Sequence, residues 1–197
     1  MIVLRPLALI LLAVVLVSCG GAPPPAEHFY RLSAPVLAPA AKPLSGLLIV
    51  ERLGADGVTG ERPMVHSRQG QEKNLETYRY HYWIEAPGRM LAQHLAEALG
   101  TSKAASKVVT GDLRVEGDWI LKGRLKHFEQ VLGGSRPKVL IETEMTLLRA
   151  KDYGLVHHAS YREEEEAQGE SPAHAVDALQ KAFNRMSQRI AADLKVP

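Results

Sequence analysis

The sequence predicts an α/β or α+β fold in which one mixed sheet packs against two principal helices. Two segments carry apolar residues at helical spacing, and three consecutive later segments read as the strands of an antiparallel meander. Short apolar segments earlier in the chain add further strands. Because 46% of the residues are hydrophobic, the chain can build one sizeable core, and we expect a single domain over residues 28–197.

Short strands are predicted before the first helix. Residues 28–33 form a first strand and residues 47–50 a second, more buried one, with a Pro/Ala-rich loop over residues 35–43 between them. Residues 54–60 are rich in turn residues, and residues 64–67 favour another short strand. These segments supply the early strands of the predicted sheet.

The Tyr-rich segment before the first helix is also predicted to be extended, with aromatic rings on both faces. Alternation places Tyr78, Tyr80 and Tyr82 on one face, with His81 and Trp83 on the other. One face is expected to join the core. The other is a candidate surface for a protein partner or a lipid, because Tyr and Trp are favoured at such surfaces. The candidate partner- or lipid-binding residues are Tyr80, Tyr82 and Trp83.

The first helix is predicted to begin after Ala86, where Pro87 suits the first helical position. Its apolar stripe consists of Leu91, Leu95, Ala98 and Leu99. Gly100 is expected to end the helix as a C-terminal cap residue. In residues 101–117, only Val108-Val109 indicates a strand, so the sheet order there stays open.

The later strands are predicted to form an antiparallel meander with one wet face. Residues 118–131 and the return strand are joined by a hairpin turn at Gly133-Gly134-Ser135, and a turn at residues 151–154 leads into residues 155–165. On the return strand an apolar face opposes an acidic one: Val139, Ile141, Met145 and Leu147 against Glu142 and Glu144.

The last helix is predicted to open at Ser171 as N-cap, with Pro172 in its first turn. Its apolar face is expected to pack on the sheet. That face consists of Ala175, Leu179, Ala182, Phe183, Met186 and Ile190.

No catalytic or metal-binding motif is visible in the sequence. It has no phosphate-cradling glycine loop, no paired-cysteine metal site and no HExxH helix, and a net charge of +2 gives no case for nucleic-acid binding. His157 and His158 are adjacent on a predicted strand, so they point to opposite faces and do not suit one metal ion. The four glutamates at 163–166 favour a solvated rim over a calcium site. We therefore expect a non-enzymatic protein without a cofactor or metal.

Residues 1–18 have the pattern of a bacterial lipoprotein signal peptide. Arg5 supplies the positive charge, and residues 7–17 form an apolar run too short for a spanning helix. The segment Leu16-Val17-Ser18-Cys19 resembles a lipobox, and Cys19 is the only cysteine, so it has no disulfide partner within the chain. The alternative is an ordinary secretory signal whose cleavage site happens to include a cysteine. We expect Cys19 to be the lipidated first residue of the mature chain.

Residues 19–27 are predicted to be a lipidated tether. The Pro23-Pro24-Pro25 run favours an extended polyproline II conformation, which would lift the domain off the headgroups. Mature lipoproteins of the kind this chain resembles carry two or three acyl chains such as palmitate, enough for stable membrane attachment. In lipoproteins of two-membrane bacteria, Asp after the cysteine commonly retains the protein in the inner membrane. Gly20 stands there, which points to the outer membrane.

The order of these features resembles the ABC-type transport auxiliary lipoprotein family, which includes the PqiC-like proteins. The matching features are the lipobox at Cys19, the short strand at residues 29–33 and the apolar strand ending at residues 48–51. They continue with the segment of residues 82–87 that leads into the first helix, the meander and the C-terminal helix. The resemblance implies a fold similar to the amino-terminal domain of TolB.

The resemblance also implies a lipoprotein of the outer membrane whose domain faces the periplasm. Its implied partners are an MCE-domain protein and, in some systems, an ABC transporter, which together move lipids between membranes and support envelope integrity. The leading hypothesis is therefore a non-enzymatic docking subunit. The alternative is a stand-alone lipoprotein that binds a lipid or small ligand in an apolar pocket. A hydrolase is less favoured, because no nucleophile and base are paired in a motif.

Overall fold

The computed structural model describes residues 25–194, so the predicted signal peptide, Cys19 and most of the predicted tether lie outside the described residues. Within residues 25–194 the chain forms nine strands and two α-helices. Their bounds are β1 (His28–Tyr30), β2 (Leu44–Val50), β3 (Gly54–Ala55), β4 (Pro63–Arg68), β5 (Glu76–Trp83), α1 (Pro87–Thr101), β6 (Ala105–Thr110), β7 (Trp119–Leu132), β8 (Lys138–Arg149), β9 (Leu155–Glu166) and α2 (Pro172–Asp193).

Strand β7 is the central strand of the sheet, and it is long enough to pair with four other strands. Along one edge it pairs antiparallel with β8, which pairs antiparallel with β9. Its other edge is shared by three parallel strands in succession: β2, β3 and β4. Strands β5 and β1 extend the sheet beyond β4, and β6 extends it beyond β2. The predicted mixed sheet with an antiparallel meander and two helices is therefore confirmed.

The hairpin between β7 and β8 turns where the sequence predicts. Gly133 and Gly134 both adopt positive φ, +86° and +80°, which residues with a side chain rarely do. The register that follows places Ile141 opposite Phe128 and Leu147 opposite Leu121, all four buried. The apolar face predicted for the return strand is thus a core face.

Helix α1 begins at Pro87, as predicted, but does not end at Gly100. Gly100 lies inside the helix, Ser102 is the C-cap, and Lys103 takes the left-handed conformation with φ +56°. The prediction that Gly100 caps the helix was wrong, because the chain reverses three residues later without a glycine. Gly88 has a packing role instead, since a Cβ on it would collide with the carbonyl oxygen of Leu53.

Helix α2 opens with the predicted cap. The Ser171 hydroxyl accepts a hydrogen bond from the His174 backbone N–H at 3.3 Å, and Pro172 occupies the first turn. The predicted apolar face is buried, and the helix lies on β8 and β9. Both helices contribute to one hydrophobic cluster, in which the rings of Trp83 and Phe128 lie 5.0 Å apart.

The segment between β1 and β2 touches both helices. The Ser33 backbone N–H donates to the Gln180 side chain of α2 at 2.7 Å, and the Ala40 N–H donates to the Ser102 carbonyl just after α1 at 2.8 Å. The Pro/Ala-rich stretch is therefore an ordered strap across one end of the domain rather than a loose loop.

The weakly indicated strand after α1 is a regular element. Residues Ala105–Thr110 form β6, an edge strand that runs parallel to β2 with Val108 opposite Leu48. The weak strand at residues 64–67 is likewise part of β4. These two strands resolve the sheet order that the sequence leaves open.

The predicted solvated rim at residues 163–166 is present only in part, because Glu164 and Glu166 are exposed and Glu163 and Glu165 are not. Strand alternation turns Glu163 and Glu165 towards α2, where their side chains are 13% and 24% exposed and pair with Arg185. Glu164 turns to the other sheet face and pairs with Lys138. The prediction failed for Glu163 and Glu165 because a helix more than fifteen residues later supplies the cations.

Candidate functional site

The Tyr-rich strand β5 contains an irregularity that changes which rings share a face. Tyr80 adopts a left-handed φ of +64°, and the register between β4 and β5 shifts across this point. The shift places Tyr78 on the same face as His81, with their rings 5.9 Å apart. The prediction that Tyr78 shares the face of Tyr80 and Tyr82 is therefore wrong.

Trp83 is a core residue and not part of a binding surface. Its side chain is 1% exposed and packs against Phe128. Assigning Trp83 to a partner- or lipid-binding surface was wrong, because the sheet buries the face on which it lies. Tyr80 and Tyr82 remain candidates, since Tyr80 is 38% exposed and Tyr82 is half-buried.

Strands β1, β4 and β5 carry a cluster of histidines and tyrosines on their inner face. The Tyr30 hydroxyl lies 3.0 Å from His81 Nδ1, and the His81 ring stacks on His28 with centroids 4.9 Å apart. Burial lowers the pKa of His81, and the neighbouring His28 lowers it further. These contacts fix β1 against β5 and leave the His81 imidazole neutral over a wider pH range.

Deeper in the same cluster, Tyr78 lies between His66 and Gln130. The Tyr78 hydroxyl donates to Gln130 Oε1 at 2.7 Å, and burial raises the pKa of Tyr78 to about 12. The His66 ring packs against Tyr78 at 4.4 Å, and its buried Nδ1 finds no hydrogen-bond partner in residues 25–194. Burial also lowers the pKa of His66.

The opposite face of β1 and β5 exposes a set of large apolar side chains, which we call the Phe29 face. Phe29 and Tyr82 are opposite in register and stack with centroids 5.7 Å apart. The Arg62 guanidinium lies 5.6 Å from the centre of the Phe29 ring. Phe29 is 52% exposed and Ile84 39% exposed. The Phe29 face is defined by Phe29, Tyr80, Tyr82 and Ile84.

A second exposed apolar surface lies at the start of β7, and we call it the Tyr153 patch. Val115, Ile120 and Tyr153 line a surface cavity of about 630 Å³. Leu155 pairs with Leu148, which in turn pairs with Ile120 across the sheet. Tyr153 is 70% and Leu155 65% exposed. The Tyr153 patch is defined by the exposed Val115, Tyr153 and Leu155 and by Ile120, which is buried beneath them.

A third surface feature is an apolar groove of about 490 Å³ at the end of the two helices. The Pro/Ala-rich strap forms one wall and the last turns of α2 form the other. Leu37, Ala191 and Leu194 supply its apolar lining, with Lys42 and Gln188 at its polar positions. The sequence gives little sign of it, because the two walls are about 150 residues apart in the chain.

The predicted histidine pair is divided between two faces, as expected. His157 lies 3.2 Å from the Tyr161 hydroxyl, whereas His158 lies 2.9 Å from the Thr146 hydroxyl on the other face. Among residues 25–194, no group of three or more His, Cys, Asp or Glu side chains is placed to hold a metal ion.

One buried polar pair was missed by the sequence analysis. His127 Nδ1 lies 2.9 Å from the Glu129 carboxylate, which is 1% exposed and also accepts from the Phe128 backbone N–H at 3.0 Å. A His-x-Glu spacing on one strand face was the available signal. In the described part of the chain, no hydroxyl or thiol bonds to this imidazole, so the pair has no nucleophile to activate.

In residues 25–194, neither helix combines the length and the apolar character needed to cross a bilayer.

The fold and the sequence together define the class of protein. The chain belongs to the family of ABC-type transport auxiliary lipoprotein components, whose model matches residues 30–191. The match spans the domain from β1 to the last turn of α2. No curated protein is similar enough in sequence to count as a match.

Solved structures share this fold. A Xanthomonas campestris protein of family DUF330 superposes with a TM-score of 0.73 at 19% identity, covering 83% of this chain and 92% of that one. An uncharacterized protein superposes at 0.68 with 16% identity, covering 87% and 100%. A PelC dodecamer variant from Paraburkholderia phytofirmans reaches 0.50 with 11% identity, covering 85% and 98%. At these identities the likeness concerns the fold.

Proposed function

We propose that this chain is a lipid-anchored, non-enzymatic accessory subunit of an MCE/ABC-type system that moves lipids between membranes and supports envelope integrity. In this proposal Cys19 carries the acyl chains and the domain faces the periplasm from the outer membrane. The observation that carries the proposal is the family match over residues 30–191, since the family consists of auxiliary lipoproteins of ABC-type transport.

An accessory subunit needs a surface for its protein partner, and the Tyr153 patch fits that need. Large exposed apolar side chains in a contiguous patch are typical of protein-binding surfaces. Tyr82 on β5 is paired with Pro63 on β4, and the register between β4 and β7 brings Pro63 beside His127. Ile120 of the Tyr153 patch lies seven residues before His127 on β7. The patch is therefore about 23 Å further along the strands than the Phe29 face, where the tether enters. We propose that the MCE-domain partner docks there.

The proposal is tested by crosslinking in the native envelope. A photoreactive residue placed at Tyr153 of the full chain is expected to capture an MCE-domain protein. The matched control is the same residue placed at Glu97, an exposed position on α1 over the other sheet face. Capture of no MCE-domain or ABC-transporter subunit from Tyr153, together with no co-purification of such a subunit, would overturn the proposal.

A stand-alone lipid- or ligand-binding lipoprotein is the second candidate, favoured by the apolar groove beside the strap. Its volume of about 490 Å³ lies within the range of small-molecule sites. Native mass spectrometry of the full chain separates the two functions. A carrier retains a lipid beyond its own anchor, and an Ala191→Glu variant loses it. A docking subunit shows only the mass of the chain with its own lipid anchor.

A further inference from the structure

We propose that the Phe29 face rests on the surface of the membrane that holds the anchor, with its rings at the headgroup level and neighbouring arginines on anionic phosphates. This inference rests on the proposed anchor at Cys19 and adds a second contact that orients the domain. The occupant is a lipid surface, and a protein occupant is an outcome that the test can return.

Only a short length of chain separates the proposed anchor from the Phe29 face. The described residues begin at Pro25, six residues after Cys19, and β1 begins at His28. At no more than about 3.6 Å per residue, the nine residues from Cys19 to His28 span at most about 32 Å. Phe29 follows directly. A tether of this length lets the Phe29 face reach the lipid when it lies along the headgroups instead of lifting the domain off them, whereas the Tyr153 patch is about 23 Å further along the strands.

The side chains of the Phe29 face suit the surface of a lipid bilayer. Tyr and Phe rings that are half-exposed and stacked suit the boundary between headgroups and water, where aromatic residues are enriched. Phe29 and Tyr82 stack on each other, and Ile84 continues the ladder because its backbone N–H donates to the Tyr30 carbonyl at 2.9 Å. One strand edge thus presents a continuous apolar strip rather than single scattered side chains.

The charges around the Phe29 face complement those of anionic phospholipids. Arg31, Arg62 and Arg79 are exposed around the strip, and within residues 25–194 none of them lies within 4.0 Å of a carboxylate. Glu27 and Glu61 are adjacent acidic residues, and Glu85 is paired with Arg89 at 3.6 Å, which leaves a net charge of +1. The rings therefore insert among the headgroups, and the guanidinium groups make binding stronger when the membrane contains anionic lipid.

The test uses the full anchored chain in vesicles of phosphatidylethanolamine with and without phosphatidylglycerol. A photoreactive residue at Phe29 is expected to form a covalent adduct with phospholipid, and the same residue at Tyr153 is not. Because Phe29 is 52% exposed, the substitution removes little core packing, and circular dichroism checks the fold. Arg62→Gln is expected to lower the adduct about fivefold on anionic vesicles, whereas Lys151→Gln leaves it unchanged.

The outcomes separate this inference from the proposed function. Equal lipid adducts from Phe29 and Tyr153, or adducts from Phe29 to a protein or a second copy of the chain, overturn the membrane contact and leave the anchor intact. A chain that does not float with the vesicles overturns the anchor, and the membrane contact with it. Capture of an MCE-domain protein from Tyr153 in the envelope is scored separately.

Discussion

The Arg185 guanidinium on helix α2 donates from Nε to the Glu163 carboxylate on edge strand β9 at 3.1 Å. The same guanidinium reaches Glu165 at 2.7 Å and the backbone carbonyl of Glu164 at 2.8 Å. One side chain therefore holds the helix to the strand and also occupies an outward carbonyl of an otherwise open sheet edge. Arg189 repeats the arrangement with Glu163 and the Arg162 carbonyl. Free strand edges invite pairing between molecules, so these arginines protect the sheet as well as stabilise it.

Removal of this contact should cost stability. We expect Arg185→Met to lower the free energy of unfolding by about 1–2 kcal/mol, since it leaves two partly buried carboxylates with fewer charged donors. Urea denaturation measures the change. The control is Lys181→Met, which loses one exposed pair at 3.7 Å and should change stability by less than about 0.5 kcal/mol. If both variants lose the same free energy of unfolding, the contacts of Arg185 stabilise the fold no more than an ordinary exposed ion pair.

Two glycines of helix α1 should respond in opposite directions to the same substitution. Gly88→Ala places a methyl group against the Leu53 carbonyl, so we expect a loss of about 1–3 kcal/mol. Gly100→Ala meets only the Val108 side chain at an ordinary 3.7 Å within the helix, and should gain about 0.5–1 kcal/mol from helix propensity. Thermal unfolding of both variants checks the pair. A stabilised Gly88→Ala would contradict the close approach of α1 to Leu53.

Trp83 and Tyr80 should separate packing from surface contact. Trp83→Ala removes a buried ring from its contact with Phe128 and is expected to lower stability by about 3–5 kcal/mol. Tyr80→Ala changes a side chain that is 38% exposed, and should alter stability by less than about 1 kcal/mol. Denaturant unfolding of the two variants gives the comparison. A small loss for Trp83→Ala would contradict its place in the core.

Local patterns were sufficient to predict the two helices and the meander. Helical spacing and the Ser171 cap depend on residues within a few positions of each other, and so does the Gly133 turn. The apolar face predicted on β8 is also buried in the structure, where α2 packs on that strand. In these elements the local preference and the tertiary packing agree.

Two of the failures came from contacts that are distant in the sequence, and one came from a local irregularity in a strand. The face of Tyr78 depended on an irregularity at Tyr80 that no simple alternation contains. The partly buried, paired environment of Glu163 depended on Arg185, which lies 22 residues later in the chain. Strand β6 is a parallel edge strand and therefore lacks a regular alternation of apolar and polar residues. These errors concern which surface a correctly predicted segment faces or whether a weak segment finds a partner, and the Gly100 error concerns where a helix ends.

Stability should fall at acidic pH in part because of His66. Burial next to Tyr78 is the main cause that lowers its pKa in the folded protein; Glu76 opposes the shift and Arg68 adds to it. As pH falls below about 6.5, the unfolded chain takes up the proton first, so the folded state loses stability until the pH passes the lowered folded pKa.

The measurement is the free energy of unfolding as a function of pH. His66→Phe keeps an aromatic ring against Tyr78 and removes the titrating group, so its pH dependence below about 6.5 should be shallower than that of the natural chain. His158→Phe changes an exposed histidine on β9, away from His66 on β4, and serves as the control. If His66→Phe and the natural chain lose stability in parallel, the buried imidazole is not the cause.

The last prediction concerns Cys19, whose thiol is the proposed acceptor of the diacylglyceryl group. Cys19→Ala should abolish both lipidation and lipoprotein-type processing, because no other cysteine can take its place. The matched control is Ser18→Ala, which keeps the thiol and a small neighbour and should be processed normally. Mass spectrometry and membrane flotation report the two forms. The domain should still fold, because its described core is built from residues after Tyr30. A Cys19→Ala chain that is still cleaved and released would instead indicate an ordinary secretory signal, and one that is still lipidated would exclude Cys19 as the acceptor.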